Sequence, residues 1–394
     1  LAAEGKPGAT MRSGGPYDGW WNGGIRNTAA FHNTIALLTE MIGSPTPTSI
    51  PLVINRQLPT SDIPYPIAPQ RWHFRASVDY SVTANYAVLD VASRYKDGFL
   101  LNAWRMGSNA IERGSRDSWT AFPRRLDEVR DSMRTASRAA AGGASPVMSS
   151  GGLVGGAPNA EDSRRYLSLL RRPEWRDARG YVISSAGIDF PTATKFVNAL
   201  RENGIAVHRT TEPFFTNGKT YPAGSYVVRT DQAFRPFVLD MFEPQDHPND
   251  FLYEGGPPIP PYDNAGWTLA LQMGVQFDRM MEPFGAQMEV IDAWNLPAPE
   301  GDVNDRRRYR SAGWVLSPRQ NDAFTAVNRL LASGVPVRRV TEDWSNAAAG
   351  DFWVDADEFS VRRMEALADS LGLTVEATSS RPRGATRWHR EWRE

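Results

Sequence analysis

The second half of the chain contains an internal repeat, and this repeat limits the folds that the chain can adopt. Each copy has a strand-like run, a helical stretch and a second strand: 181–184, 192–203 and 205–207 in the first copy, and 313–317, 322–333 and 335–340 in the second. Residues are identical at an offset of 130 positions in the pairs Asn198/Asn328, Leu200/Leu330, Gly204/Gly334, Val207/Val337, Arg209/Arg339, Thr211/Thr341 and Glu212/Glu342. The order strand, helix, glycine, strand is typical of a right-handed βαβ crossover.

Two such crossovers predict a mostly parallel sheet with helices on its faces. A sheet of this kind buries both faces of its strands, so we expect Val182, Ile183, Val315 and Leu316 in the core. A later helix (359–371) and strand (373–375) add another α–β element. We therefore predict a doubly wound, Rossmann-like α/β domain over residues 165–394.

Two further segments lie between residue 45 and this domain. The first, residues 46–138, begins with a connector in which prolines recur between 44 and 70. It continues with helical patterns at 77–94, 100–113 and 126–138. In the first of these helices the apolar residues follow helical spacing: Val82, Tyr86, Leu89, Ala92 and then Tyr95. Residues 139–164 are rich in Ala, Gly and Ser and predict a flexible linker. A nucleotide-binding loop is the rival, but no strand precedes it and no Gly-Lys-Ser/Thr follows.

Composition excludes several function classes. The net charge of the 394-residue chain is −1, without the basic bias of a nucleic-acid-binding protein. The local basic clusters at 306–308 and 381–390 fit solvated surface. No run reaches the roughly 18–20 apolar residues that a membrane span needs. The chain has no cysteine, which rules out disulfides, thiolate metal ligands and a cysteine nucleophile.

Two common catalytic motifs are missing as well. None of the 5 histidines begins a His-x-x-Glu or His-Glu-x-x-His motif, and the nearest spacing, His247 to Asp250, contains a proline and lacks a third ligand. We predict no metal site within this chain. A Gly-x-Ser-x-Gly elbow is also absent, and Ser225 follows a Tyr-Pro-Ala-Gly turn, which favours a structural role.

The strongest functional signal lies in the first 45 residues. A glycine-rich turn with Tyr, Trp and Asn occupies 17–24, the kind of loop that can close over a small ligand. An apolar run at 35–43 contains one carboxylate, Glu40. Burial of an unpaired carboxylate is costly, so such a group protonates, finds a partner or serves in chemistry. From the residues alone Glu40 is either a surface or capping carboxylate or a catalytic base.

Residues 17–43 resemble the last stretch of the catalytic domain in zinc carboxypeptidases of the carboxypeptidase A type. In that family a mobile-loop tyrosine precedes a hydrophobic strand that ends in Thr-x-Glu or Thr-Glu, and here Thr39-Glu40 closes such a run. The later segments 221–228 and 261–275 strengthen the likeness to large bacterial members, in which an amidotransferase-like domain follows the peptidase. The second α/β domain resembles a degenerate class I glutamine amidotransferase, and without cysteine it has no amidotransferase activity by that route.

The resemblance implies roles for individual residues. Glu40 is the general base and acid that works with zinc-bound water. The resemblance assigns substrate contacts to Tyr17, Trp20, Asn22 and Arg26, and Tyr17 would close over the C-terminal end of the peptide. Alternatives stay open at this point: Tyr17 can simply be packed, and Arg26, like His32, can support the pocket from behind or lie on a helix face.

The resemblance also implies what this chain lacks. The family's zinc ligands and its substrate-binding arginines lie upstream of the matching stretch, so we expect residues 1–45 to be the end of a catalytic domain whose zinc is held elsewhere. The chain alone is expected to be inactive, and the parent protein to be a periplasmic or secreted metallocarboxypeptidase. The alternative is a non-catalytic module that binds peptides or cell-envelope material.

Overall fold

The computed structural model describes residues 1–9, 21–24, 26–140, 160–244, 247, 250–253, 255–262, 264–266, 268–304, 311–344, 346–381 and 386–387. They form a mixed α/β structure with helices and several small sheets. The contacts divide the chain into two compact units, Leu1–Ala110 with His247–Gly266, and Ile111–Asp246 with Trp267–Glu394. This division rests on contacts rather than on family boundaries, so the four predicted domain segments stay predictions.

The first unit is mainly helical. Its elements are a 3₁₀ turn (Asn22–Gly24), α1 (Thr28–Phe31), β1 (Thr48–Ile50), β2 (Gln70–Trp72), α2 (Phe74–Arg94) and the start of α3 (Lys96–Ser115). β1 and β2 pair antiparallel. The buried hydroxyl of Ser77 accepts a hydrogen bond from Trp72 Nε1 (2.8 Å) and donates one to the carbonyl of Ile42 (2.6 Å). The start of α2 is thereby joined to β2 and to the segment that contains Glu40.

The helices predicted at 77–94 and 100–113 are confirmed, but the apolar positions of α2 are not buried. Tyr86 and Leu89 are 69% and 65% exposed, and Ser77 is the one buried residue of this helix. An apolar helix face normally packs on another element. The described residues do not supply the element that would cover the second half of α2.

The second unit contains most of the regular structure. Its helices are α4 (Pro123–Ala140), α5 (Ala160–Leu170), α6 (Phe190–Glu202), α7 (Arg235–Phe242), α8 (Leu269–Gln272), α9 (Asp322–Ala332) and α10 (Glu358–Leu371). Its strands are β3 (Gly180–Ile183), β4 (His208–Thr210), β5 (Phe214–Thr216), β6 (Lys219–Tyr221), β7 (Tyr226–Arg229), β8 (Asp278–Met280), β9 (Met288–Val290), β10 (Asp302–Asn304), β11 (Gly313–Leu316), β12 (Val337–Arg339), β13 (Phe352–Asp355), β14 (Thr374–Thr378) and β15 (Thr386–Arg387). The helix predicted at 126–138 is confirmed as α4. Most of the predicted linker, residues 141–159, lies outside the described residues.

The first copy of the repeat forms a sheet with the strand order β8-β3-β7-β4-β9. All four pairings in this sheet are antiparallel. β3 and β4 therefore run parallel to each other, as the βαβ prediction requires, but β7 lies between them. The chain reaches β7 through the β5–β6 hairpin, whose turn contains Asn217 and Gly218, both at positive φ.

The second copy repeats this connectivity in a sheet with the order β10-β14-β11-β13-β12-β15. β13 separates β11 from β12, as β7 separates β3 from β4, and only β10 and β14 pair parallel among the described strands. Both copies thus have the β-α-β-β-α-β connectivity of the split βαβ motif, with strand order 4-1-3-2. The predicted single, mostly parallel sheet is wrong, because a returning strand enters between the two parallel strands of each copy.

The predicted core positions are confirmed. Val182, Ile183, Val315 and Leu316 are all buried. The repeat is also explained by packing, since the members of two identical pairs are buried in both copies: Leu200/Leu330 within the helix, and Val207/Val337 just before or at the start of the second strand. These side chains fill the space between helix and sheet, where a change of volume leaves a cavity or a clash.

The glycine that follows α9 in the second copy of the repeat leads to a prediction about stability. Gly334 has φ +86°, and a Cβ placed there would meet no atom within 4 Å. Gly334→Ala should therefore destabilise the second unit by about 1–2 kcal/mol through backbone strain alone. Denaturant unfolding measures this loss. Gly285→Ala is the control, because Gly285 also has open space but no positive φ, and a loss of similar size there would contradict the explanation.

The surroundings of His208 on β4 predict that the stability of the second unit depends on pH. Burial lowers the pKa of its imidazole, the positive charge of Arg229 adds to this, and its Nδ1 is buried without a hydrogen-bond partner among the described residues. The unfolded chain then binds a proton below about pH 6.5 that the folded chain does not bind. The free energy of unfolding should fall as pH drops through this value. His208→Gln should show a smaller loss between pH 7.5 and 5, and an unchanged slope would exclude His208 as its source.

Candidate functional site

The glycine-rich turn keeps its compact shape through a close approach at Gly23. The turn comprises residues 21–27, of which Ile25 is not among the described residues, and it contains the Asn22–Gly24 3₁₀ turn. A Cβ on Gly23 would lie 2.5 Å from Trp21 Nε1 and 2.8 Å from Asn264 Oδ1, so only glycine fits there. Trp21 and Asn22 are 3% and 5% exposed. Asn22 is therefore buried within the first unit.

The turn is covered by the His247–Gly266 segment, which returns to the first unit from far along the chain. The carbonyl of Gly23 accepts hydrogen bonds from the backbone N–H groups of Ala265 (2.7 Å) and Gly266 (3.1 Å). The ring of Trp21 meets His247 edge-on, with 5.0 Å between the ring centroids. His247, the histidine nearest to a metal-binding spacing, thus packs against an aromatic ring.

Arg26 also contacts this segment. Its guanidinium carbon lies 5.1 Å from the centroid of the Tyr262 ring, within the range of a cation–π interaction. Arg26 is half-buried, and it is close in sequence to Asn22. The structure therefore brings two of the predicted substrate-binding residues into one turn. Tyr17 and Trp20, the other two, lie outside the described residues.

Glu40 is placed differently from what its apolar surroundings suggest. Residues 34–43 form no strand, and Glu40 is exposed, as are its neighbours Ile35 (65%) and Leu37 (68%). Its carboxylate makes no hydrogen bond or ion pair with a described residue. The expected burial of this carboxylate is therefore wrong, because the described residues do not cover the 34–43 segment. No contact joins Glu40 to Asn22 or Arg26 among the described residues.

His32 occupies a structural position. Its Nδ1 lies 2.7 Å from the carbonyl oxygen of Thr28, one turn earlier, and it ends the short helix α1. The sequence left two roles open for His32, support of the pocket from behind or a place on a helix face. This contact supports the second role.

A metal site is not assembled from the described residues. Among them no three His, Cys, Asp or Glu side chains come together as a group that could hold a metal ion. The residues that the structure describes therefore do not fit a zinc ion, which would need about three protein ligands in a catalytic site.

Ser225 and its surroundings have structural roles. The buried hydroxyl of Ser225 donates to the carbonyl of Pro222 (2.7 Å) and accepts the N–H of Ser185 (3.1 Å). The Ser185 hydroxyl donates to the carbonyl of Ala223 (2.9 Å). Both protons are used in fixing the turn after β3, so neither serine is activated as a nucleophile.

A small open cleft of about 70 Å³ lies beside that turn, between the end of β3, the start of α6 and Arg319. Its one carboxylate is Asp189, and both of its oxygens are engaged. Oδ1 accepts the N–H of Thr192 (3.3 Å) as the cap of α6, and Oδ2 accepts the N–H of Asn321 (2.9 Å). The carboxylate joins the two copies of the repeat and has no evident role in binding a ligand.

Sequence reasoning missed the partners of the turn. Tyr262 and Ala265 belong to a stretch that strengthened the family resemblance, yet nothing in one sequence indicates that it contacts residues more than 200 positions earlier. A contact of this range leaves no local pattern, and an alignment with co-varying positions would be the signal to look for.

In comparisons with known proteins, no family model, no curated protein and no solved structure matches the chain. In the part of the chain that the structure describes, none of the helices has both the length and the hydrophobicity needed to cross a bilayer.

Proposed function

We propose that this chain is the C-terminal part of a zinc metallocarboxypeptidase, in which Glu40 transfers the proton and the 21–27 turn contacts the peptide. The observation that carries the proposal is the exposure of the 34–43 segment. It presents several large apolar side chains and one carboxylate to solvent, and exposed apolar residues in such density are typical of a surface that further protein covers. In the proposed enzyme, other parts of the catalytic domain would cover this segment.

The metal of such an enzyme would have to be held by residues other than the described ones, which do not fit it. What the present residues contribute is the movement of a proton and the binding of a charge. Glu40 makes no hydrogen bond or ion pair with a described residue, and its carboxylate would accept a proton from the attacking water and pass it to the leaving amine. Arg26 brings a positive charge to the turn that would contact the peptide.

A second candidate function is supported by the exposed apolar residues of α2 and α3. They include Phe74, Val82, Tyr86, Leu89, Tyr95, Leu100 and Trp104. Large exposed apolar patches mark surfaces that bind other proteins, peptides or membranes. This observation favours the non-catalytic module that binds peptides or cell-envelope material.

The reading frame that encodes this chain decides between the two. The peptidase proposal expects a His-x-x-Glu motif and a further histidine encoded before Leu1, in frame with it. If that region encodes other residues at those places, or nothing that could fold as a catalytic domain, the peptidase proposal fails and the binding module takes its place.

A further inference from the structure

The first half of helix α2 has two faces with different surroundings. Its inner face is fixed to the first unit, since Ser77 is buried and the hydroxyl of Tyr80 donates to the carbonyl of Pro7 (2.9 Å). The ring of Tyr80 also meets that of Trp72 edge-on, with 5.1 Å between the ring centroids. The outer face presents a row of large apolar side chains, each 39–69% exposed: Phe74, Val78, Val82, Tyr86 and Leu89. The helix is therefore anchored on one side and open to solvent on the other.

The spacing of this outer row suits packing against an identical helix. Its first four members are four residues apart, and such a row is the ridge by which helices commonly pack on each other. If a second α2 lies antiparallel about a twofold axis at Val82, then Val82 meets its own copy and Val78 meets Tyr86 of the other chain. Phe74 lies next to Leu89 of the other chain. In this arrangement every member of the row has an apolar partner.

The charges beside the row favour the same arrangement. α2 carries Arg75, Asp79, Asp90 and Arg94, so its net charge is zero and an anionic surface does not attract it. Within one chain these groups form two exposed ion pairs four residues apart. The antiparallel register about Val82 brings Arg75 close to Asp90 of the second copy, twice by symmetry. A parallel pair would place each charge beside its own copy, where like charges repel.

We propose that the protein forms an antiparallel homodimer through the outer face of α2. Burial of this row with its flanking residues covers about 500–800 Å² per copy, at the lower end of the range for specific interfaces. The dimer should therefore dissociate at a concentration of about 1–100 μM. This proposal goes beyond both proposed functions, because neither of them requires a second copy of the chain.

Sedimentation velocity of the full chain at about 1–300 μM tests the dimer, and the dimer fraction should rise across this range. Val82→Glu sets two carboxylates against each other at the axis and should weaken the dimer at least about tenfold. Val91→Glu is the matched control. Val91 is as exposed as Val82, at 45% against 46%, but nine positions turn the helix by about 180°, so it lies on the opposite side. This variant should dimerise like the wild type, and circular dichroism establishes that both variants are folded.

A second pair of variants tests the register. Arg75→Glu and Asp90→Lys should each weaken self-association by about three- to tenfold, because each sets like charges against each other at two places in the dimer. An equimolar mixture of the two variants should dimerise about as tightly as the wild type, since each variant supplies the charge that the other needs. A face that binds a different partner would show no such rescue.

The outcomes decide the proposal. A chain that stays monomeric up to about 300 μM overturns it and leaves the outer face of α2 to another occupant, such as a peptide or a further part of the parent protein. A dimer that Val82→Glu does not weaken, or that Val91→Glu weakens as much, is formed by another surface. Failure of the mixed variants to recover excludes the antiparallel register. None of these results bears on Glu40, whose role is decided by its own test.

Discussion

In the proposed parent peptidase, the Glu40→Gln substitution is expected to lower kcat by about 10²–10⁴-fold, the contribution typical of a general acid–base group. Glutamine has nearly the same shape as glutamate but cannot accept the proton of the attacking water. Glu40 makes no hydrogen bond or ion pair with a described residue, so the change breaks no such contact among them. KM should therefore stay close to its original value. Steady-state kinetics of the parent protein on an N-blocked peptide measure both constants.

The structure supplies a matched control for this experiment. Glu202 at the end of α6 is also an exposed glutamate, and Glu202→Gln should leave kcat unchanged. In the present chain, where both side chains are exposed, both substitutions should alter the free energy of unfolding by less than about 0.5 kcal/mol, as is usual for surface positions. A Glu40→Gln enzyme that turns over at nearly the rate of the wild type would remove Glu40 from the mechanism.

Local structure could be predicted well from the sequence, because its determinants are local. Helical spacing predicted α2, α3, α4, α6 and α9, and the glycines at 204 and 334 predicted where two of these helices end. Strand pairing could not be predicted in the same way. The strands β3 and β4 were correctly expected to run parallel, but their separation by β7 depends on a hairpin and a return of the chain, which no period in the sequence records.

The candidate site shows the same limit. Asn22 and Arg26 were predicted from one stretch of sequence, and the structure places them in one turn. Tyr262, which contacts Arg26, and His247, which packs on the neighbouring Trp21, come from more than 200 residues away and carry no local pattern. For Glu40 the apolar neighbours predicted burial, which fails here because burial is a property of the whole fold and not of a segment.

The largest effect on stability is expected at Asp177, which anchors the approach to β3. Asp177 and Arg235 are almost completely buried, with 2.7 Å between Oδ2 and Nη2. Thr120 donates to the same carboxylate through its backbone N–H (3.1 Å) and its hydroxyl (2.8 Å). The hydroxyl of Ser118 completes the network, 2.9 Å from Arg235 Nη2. One carboxylate thus holds the loop before α4 and the first turn of α7 together.

Asp177→Ala should lower the free energy of unfolding of the second unit by about 3–5 kcal/mol, because it leaves the charge of Arg235 buried without its counterion. The double variant with Asp177→Ala and Arg235→Met should lose clearly less, since it removes the orphaned charge as well. Asp127→Ala breaks the exposed pair with Arg130 in the same unit and should cost at most about 0.5 kcal/mol. Urea unfolding followed by circular dichroism compares the three. If the double variant were as unstable as Asp177→Ala, the loss would come from the packing of the loop and not from the buried charge.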